Sequence, residues 1–338
     1  MKTRLAAFIL FLVIGIVFFI GVIINTGVGE IWMTLRHFSL LNFLFFIGLS
    51  TLNFGLYTLR WDIILTHIHF DQTKKIPFGR LFLHRMSAFA LSYLTPTAQT
   101  GGEPLRVMML QHEGVSLKTA VSSVIVDKAL EFAALIVFIS TGIALALMDG
   151  SLPPRTEVFF SVLIVIFAVL VFWFYYSSVK DIGFFSSILR ATRLNKYKKI
   201  SKLEEKLLDV EKQMSNFYKH HLRIFLFLIL ISLFISAFLL LEHYLVARFM
   251  GVKLTLFQTF LVSTIPYVAY MMPIPGGLGL LEGATAGMFA ILGVNINAFV
   301  LVFIIRMRDL VFVMIGLLHA SKQGVKMLKE AFTSNSAV

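Results

Sequence analysis

Apolar residues in this chain come in long blocks rather than alternating stripes. Residues 5–24, 38–59, 157–176 and 223–241 each approach or exceed the roughly 20 apolar residues that cross a hydrocarbon core. Two further segments, 81–112 and 254–293, are apolar but interrupted by Gly and Pro. The pattern predicts spanning helices over 5–24, 38–59, 118–147, 157–176, 223–245 and 296–318, with the interrupted segments between them. The first block follows Lys2 and Arg4, yet it exceeds the length of a signal-peptide core and no small-x-small cleavage site follows. It reads as a retained helix.

Composition agrees with the pattern. Hydrophobic residues make up 58% of the 338 and charged residues only 14%, against about 25% charged in soluble domains. The formal net charge of +12 does not point to nucleic acid, because the basic residues gather in particular loops. Residues 60–85 hold Arg60, Lys74, Lys75, Arg80 and Arg85, and residues 177–222 hold ten Lys/Arg against five Asp/Glu. Segments 25–37 and 149–157 hold one basic residue each. The positive-inside rule then puts both basic loops and both termini in the cytoplasm of a multi-pass protein of the inner membrane. Trp32 and Trp61 fall at opposite ends of the first helical hairpin, as interfacial aromatics do. The topology closes only if each interrupted segment enters and leaves on one side, the first from the cytoplasm and the second from outside. The expected fold is an all-α polytopic membrane protein of about six spanning helices plus two oppositely oriented re-entrant hairpins. The expected division is one repeat half over 38–176, a cytoplasmic loop over 177–222, a second half over 223–318 and a tail over 319–338.

In the cytoplasmic loop, Ile200, Leu203, Leu207, Val210, Met214 and Phe217 recur at helical spacing among Lys and Glu. Such a stripe predicts a basic amphipathic helix on the anionic inner leaflet, with a short coiled-coil contact to a partner as the other reading.

The candidate chemistry lies at the two breaks. The first runs Thr95-Pro96 to Gly101-Gly102-Glu103-Pro104-Leu105-Arg106, and the second Pro273-Ile274-Pro275-Gly276-Gly277 to Glu282-Gly283. Helix cannot run through either, and unpaired backbone at membrane depth needs a buried or cavity-lining place. The breaks share a register: Pro96 and Pro275, Glu103 and Glu282, and Asp127 and Arg306 each differ by 179. Matched, interrupted segments in opposed halves point to an inverted-repeat transporter. Each break leads to a charged helix, with Asp127, Lys128 and Glu131 after the first and Arg306, Arg308 and Asp309 after the second. Asp127 and Arg306 either neutralise each other or leave Arg106, Arg306 and Arg308 to hold an anionic headgroup, for which the planar guanidinium is suited. The amide-rich end after Gly276-Gly277 has no acid until Glu282, which leaves room for a phosphate. Glu103 and Glu282 read either as caps or as proton-carrying carboxylates. His67, His69 and His84 have no metal-ligand spacing, no Gly-Lys-Ser/Thr follows the Gly pairs, and cysteine is absent. Neither a metal nor another cofactor is therefore expected.

Taken in order, Thr95-Pro96, Gly101 to Arg106, Asp127-Lys128, the Pro273 to Glu282 run and Arg306 resemble the flippase-like membrane region of lysylphosphatidylglycerol synthases. The resemblance covers most of residues 5–325. It implies re-entrant helices, movement of lipid between leaflets, and site positions Gly101, Gly102, Glu103, Arg106, Asp127, Gly276, Gly277, Glu282 and Arg306. The full synthases continue into a cytosolic aminoacyl-transferase domain, whereas about twenty residues follow the last helix here. Lipid aminoacylation, and enzymatic activity in general, are therefore not expected. An anionic membrane lipid is the expected partner. A lipid-modifying enzyme that uses this chain as a scaffold, and an intramembrane enzyme acting on a lipid phosphate, are the alternatives. The oligomeric state, a homodimer included, is left open.

Overall fold

The computed structural model describes residues 38–68, 76–97, 99–149, 154–192, 198–264, 266–294 and 298–335. The helix expected over 5–24, Trp32, Lys74 and Lys75 lie outside the described residues. The helices are α1 (Leu40–Ile68), α2 (Phe78–Leu94), α3 (Glu103–His112), α4 (Leu117–Asp149), α5 (Pro154–Val179), α6 (Phe184–Ala191), α7 (Lys198–His220), α8 (Leu222–Phe249), α9 (Leu256–Thr264), α10 (Leu280–Ile291) and α11 (Ala298–Asn335). Two short 3-10 turns, Pro266–Met271 and Pro275–Gly277, join α9 to α10. No strand occurs among the described residues.

Among the described residues, three helices are long and apolar enough to cross a bilayer: α1, the Leu117–Leu145 part of α4, and α8. Their outer faces carry exposed apolar side chains, among them Leu44, Phe45 and Leu52 on α1 and Leu226, Leu230 and Phe234 on α8. In water such faces would aggregate; in lipid they are matched to their surroundings. The long helix α11 carries Arg306, Arg308 and Asp309 inside its apolar run. It lies along α2, where Gly316 brings the two backbones so close that an added Cβ would sit 2.2 Å from the Met86 carbonyl oxygen.

The breaks form where the sequence places Pro and Gly. Thr95 is extended (ψ 144°), as the residue before Pro96 must be, and this ends α2. Pro104 occupies the first turn of α3, where its missing N–H costs nothing. In the second break Gly276 has φ +55°, a left-handed conformation that glycine adopts without strain. A Cβ there would also lie 2.9 Å from the Tyr93 ring.

Two sequence expectations are corrected. The helix expected over 38–59 does not stop at 59 but continues to Ile68, because Trp61, Ile64, Leu65 and Ile68 bury its last two turns in protein. Trp61 is fully buried among Leu65, Leu81, Leu110, Val115 and Val124, so it is not an interfacial anchor. The amphipathic stripe of α7 is not left free for the leaflet over its second half. Val210, Met214 and Phe217 of its stripe, with Tyr218, join Ile64, Ile68, Val126, Leu130 and Leu228 in one core, so α7 closes the ends of α1, α4 and α8. Burying side chains of this size stabilises by about 1.5–3 kcal/mol each. Gln213 fixes the contact by donating to the Ile68 carbonyl (3.2 Å) and to Thr119 Oγ1 (3.1 Å).

Candidate functional site

The centre of the molecule is a buried ion network around Asp127. The Asp127 side chain has no exposed surface. Arg60 Nε of α1 donates to its Oδ1 at 2.9 Å. Both Arg85 NH1 of α2 (2.8 Å) and Arg106 NH2 of α3 (2.9 Å) donate to its Oδ2. One carboxylate on α4 thus ties three other helices together through charge-assisted bonds. Second acids share the load: Glu131 accepts from Arg85 (3.2 Å) and Lys128 (2.8 Å), and Glu103 accepts from Arg106 (2.9 Å). Two aromatic rings shield the cations. Arg106 stacks 3.9 Å over Trp61, and Arg85 lies 4.6 Å over Tyr57.

Local backbone aims Arg106. An added Cβ on Gly102 would lie 1.9 Å from the Ala88 carbonyl oxygen, and one on Gly101 would lie 2.2 Å from Thr95 Oγ1. The Gly102 N–H donates to Ser92 Oγ at 2.8 Å. The start of α3 is therefore pressed onto α2, and Arg106 one turn later reaches Asp127. One donor, Arg106 Nε, is buried without a hydrogen-bond partner.

A cavity of about 150 Å3 opens in front of this network. Arg85, Glu103, Arg106, Lys128 and Glu131 line one wall, and Glu242, Arg308 and Asp309 line the other. On that second wall Arg308 NH2 donates to Asp309 Oδ1 (2.8 Å), Arg308 NH1 also bonds Glu242, and Tyr270 donates to Asp309 Oδ2 (3.2 Å).

Gly276, Gly277, Glu282 and Arg306 form a separate knot and are not among the residues lining this cavity. Arg306 binds Glu282 with two bonds (2.5 and 3.0 Å), donates to the Gly276 carbonyl (3.0 Å) and to Tyr93 Oη (3.0 Å). Glu282 also accepts the Gly279 N–H at 2.8 Å, so the start of α10 is capped by its own carboxylate. Two sequence readings fail here. The room for a phosphate at this helix end is filled by Glu282. Asp127 and Arg306 do not neutralise each other; Asp127 is bonded by arginines of α1, α2 and α3, and Arg306 by Glu282. A cavity shared between the two parts is present, but Arg308, Asp309 and Glu242 supply its second wall in place of Glu282 and Arg306.

Sequence reasoning missed Arg60 and Arg85, which it assigned to a cytoplasmic loop. A signal existed for Arg60: Trp61, Ile64, Leu65 and Ile68 continue the helical apolar spacing past it. Among the described residues no group of three or more His, Asp or Glu is placed to hold a metal.

Comparison with known proteins places this geometry in a family. A UPF0104 membrane protein of Methanothermobacter thermautotrophicus is 28% identical over 295 residues, covering 84% of this chain and 85% of that protein. A second UPF0104 membrane protein of the same organism is 27% identical over 303 residues, covering 83% and 82%. No solved structure matches the chain. The family described as the lysylphosphatidylglycerol synthase TM region matches residues 5–316, a stretch that holds both breaks, the Asp127 network and the cavity. The chain is a member of the lysylphosphatidylglycerol synthase transmembrane-region family.

Proposed function

We propose that this protein moves a phosphate-bearing anionic lipid, a phospholipid or a polyprenyl-phosphate-linked lipid, between the leaflets of the cytoplasmic membrane. The observation that carries the reading is the cavity with Arg85, Arg106, Lys128 and Arg308 on its walls, set among helices with lipid-matched outer faces. Cations on the wall of a membrane cavity are costly unless they meet counter-charges or a ligand. Arginine keeps its charge when desolvated and grips phosphate with a planar fork. Arg106 Nε holds a donor in reserve. A phosphate would replace Glu103 at Nη1, while Asp127 keeps Nη2.

A cavity of about 150 Å3 admits a phosphate and a few waters, each water occupying about 30 Å3. The acyl chains stay outside, along the apolar helix faces. Gln99, in the irregular connection between α2 and α3, also lines the cavity, which is where broken backbone at membrane depth belongs. The two breaks are read as an inverted repeat whose halves rock about this cavity, with both termini cytoplasmic. The chain is read as a carrier rather than an enzyme.

Reconstitution in liposomes with labelled phosphatidylglycerol or a labelled polyprenyl phosphate tests the reading. Leaflet exchange well above that of empty liposomes is expected. Exchange no faster than in empty liposomes, for every anionic lipid tried, would overturn it.

A further inference from the structure

The cavity walls carry four cations, Arg85, Arg106, Lys128 and Arg308, and four carboxylates, Glu103, Glu131, Glu242 and Asp309. Behind them Arg60 and Asp127 cancel. The site is therefore neutral when all groups are ionised. An incoming phosphodiester would leave it one charge negative, and an uncompensated charge in a desolvated site is costly. Something positive has to accompany the anion.

The carboxylate oxygens show where it would go. Glu103 is bonded by Arg106 and lies 3.5 Å from Lys128. Both oxygens of Glu131 and both of Asp309 also have partners. Glu242 Oε2 has Arg308, but Glu242 Oε1 is buried without a hydrogen-bond partner. The Glu242 side chain is 4% exposed and lines the cavity. A second buried acceptor on the same wall, Asn53 Oδ1, is also unpartnered. The charged and titratable groups around Glu242 are Arg308 and Asp309 from α11, Tyr57 from α1 and Tyr267 from the turn after α9, with Lys128 and Glu131 of α4 across the cavity. One guanidinium thus serves two buried carboxylates, and the side chains of Ser50 and Asn53 lie beside that of Glu242.

We propose that Glu242 and Asn53 form the site of a small coupling cation, a proton or a sodium ion, that binds together with the anionic headgroup in a one-to-one ratio. The inference rests on the anionic-lipid reading above and adds its energy source. A proton would convert Glu242 to the neutral acid; a sodium ion would be held by Glu242 Oε1 and Asn53 Oδ1. In either case the loaded cavity is neutral again, so a gradient of that cation drives the lipid.

Binding of dihexanoyl-phosphatidylglycerol to the purified full-length protein tests the proposal, because this phosphodiester keeps one negative charge across the pH range used. In weak buffer, uptake of about one proton per bound lipid identifies the proton. Binding at least tenfold tighter in sodium chloride than in choline chloride identifies sodium. Glu242→Gln, a neutral isostere, is expected to bind the probe at least as tightly, without proton uptake or sodium dependence. Asn53→Val is expected to weaken the sodium dependence if sodium is the cation, and to leave proton uptake in place if the proton is. Wild-type binding with neither proton uptake nor sodium dependence overturns the inference while leaving the anionic-lipid reading intact. So does a Glu242→Gln protein that behaves like wild type. Absence of probe binding overturns both.

Discussion

At the scale of single residues, the economy of the network around Asp127 explains what each charge is for. Arg60 is held by Asp127 and Ser232 and Arg85 by Asp127 and Glu131, which fixes α1 and α2; Arg106 shares the cavity wall with Arg85 and keeps one donor unpartnered. Removing the shared acid takes their common counter-charge from three buried cations. Asp127→Asn should therefore lower stability by about 3–5 kcal/mol, read as an early unfolding transition in detergent. Arg106→Lys keeps the charge but loses the fork and the stack on Trp61. That variant should fold like wild type and bind an anionic lipid about tenfold more weakly, roughly 1.4 kcal/mol. Wild-type affinity in that variant would show that the guanidinium plane is not used.

Among the elements, the joints between helices are more exacting than the helices themselves. An added methyl group at Gly102 meets the Ala88 carbonyl, which is backbone and cannot swing away. Gly102→Ala should cost about 1–3 kcal/mol or more. Gly48→Ala, on α1 with nothing within 4 Å of the added atom, should be neutral or slightly stabilising through helix propensity. Differential scanning of the two variants against wild type checks both. The α7 contact makes a further prediction: Met214, 1% exposed in the core shared with α1, α4 and α8, should lose about 2–5 kcal/mol on replacement by alanine. An α7 that only rested on lipid would tolerate the change. The α7 stripe was legible in the sequence, because a periodicity of three and four fixes a face. What covers the face was not legible, since lipid and protein are equally apolar. The same ambiguity hid Arg60 and Arg85. A hydropathy run treats a charge as the end of a span, and only a partner from a distant segment, Asp127, makes burying it affordable. Both breaks could be read directly, because Pro and Gly act on the local backbone. The roles of Glu282 and Arg306 could not, because their closure onto each other and onto Tyr93 is tertiary.

For the whole molecule, the arrangement is a set of lipid-facing helices around a charged interior with one wall from the α2–α4 region and one from α8 and α11. The matching register of the two breaks locates charges in both parts, but the parts use them differently. The first presents Arg106 to the cavity, and the second locks Arg306 away with Glu282 and presents Arg308 instead. Loss of cavity-facing charge should therefore stop function, while loss of comparable charge elsewhere should not. Arg190, paired with Glu204 and half exposed on α6, supplies the comparison. The most direct measurement is the rate of leaflet exchange of a labelled anionic lipid in liposomes holding wild type, Arg106→Ala or Arg190→Ala, each first shown to be folded. Exchange in wild type and Arg190→Ala, with a fall of at least tenfold in Arg106→Ala, is the predicted result. Equal exchange in all three, or none above empty liposomes in wild type, would contradict it.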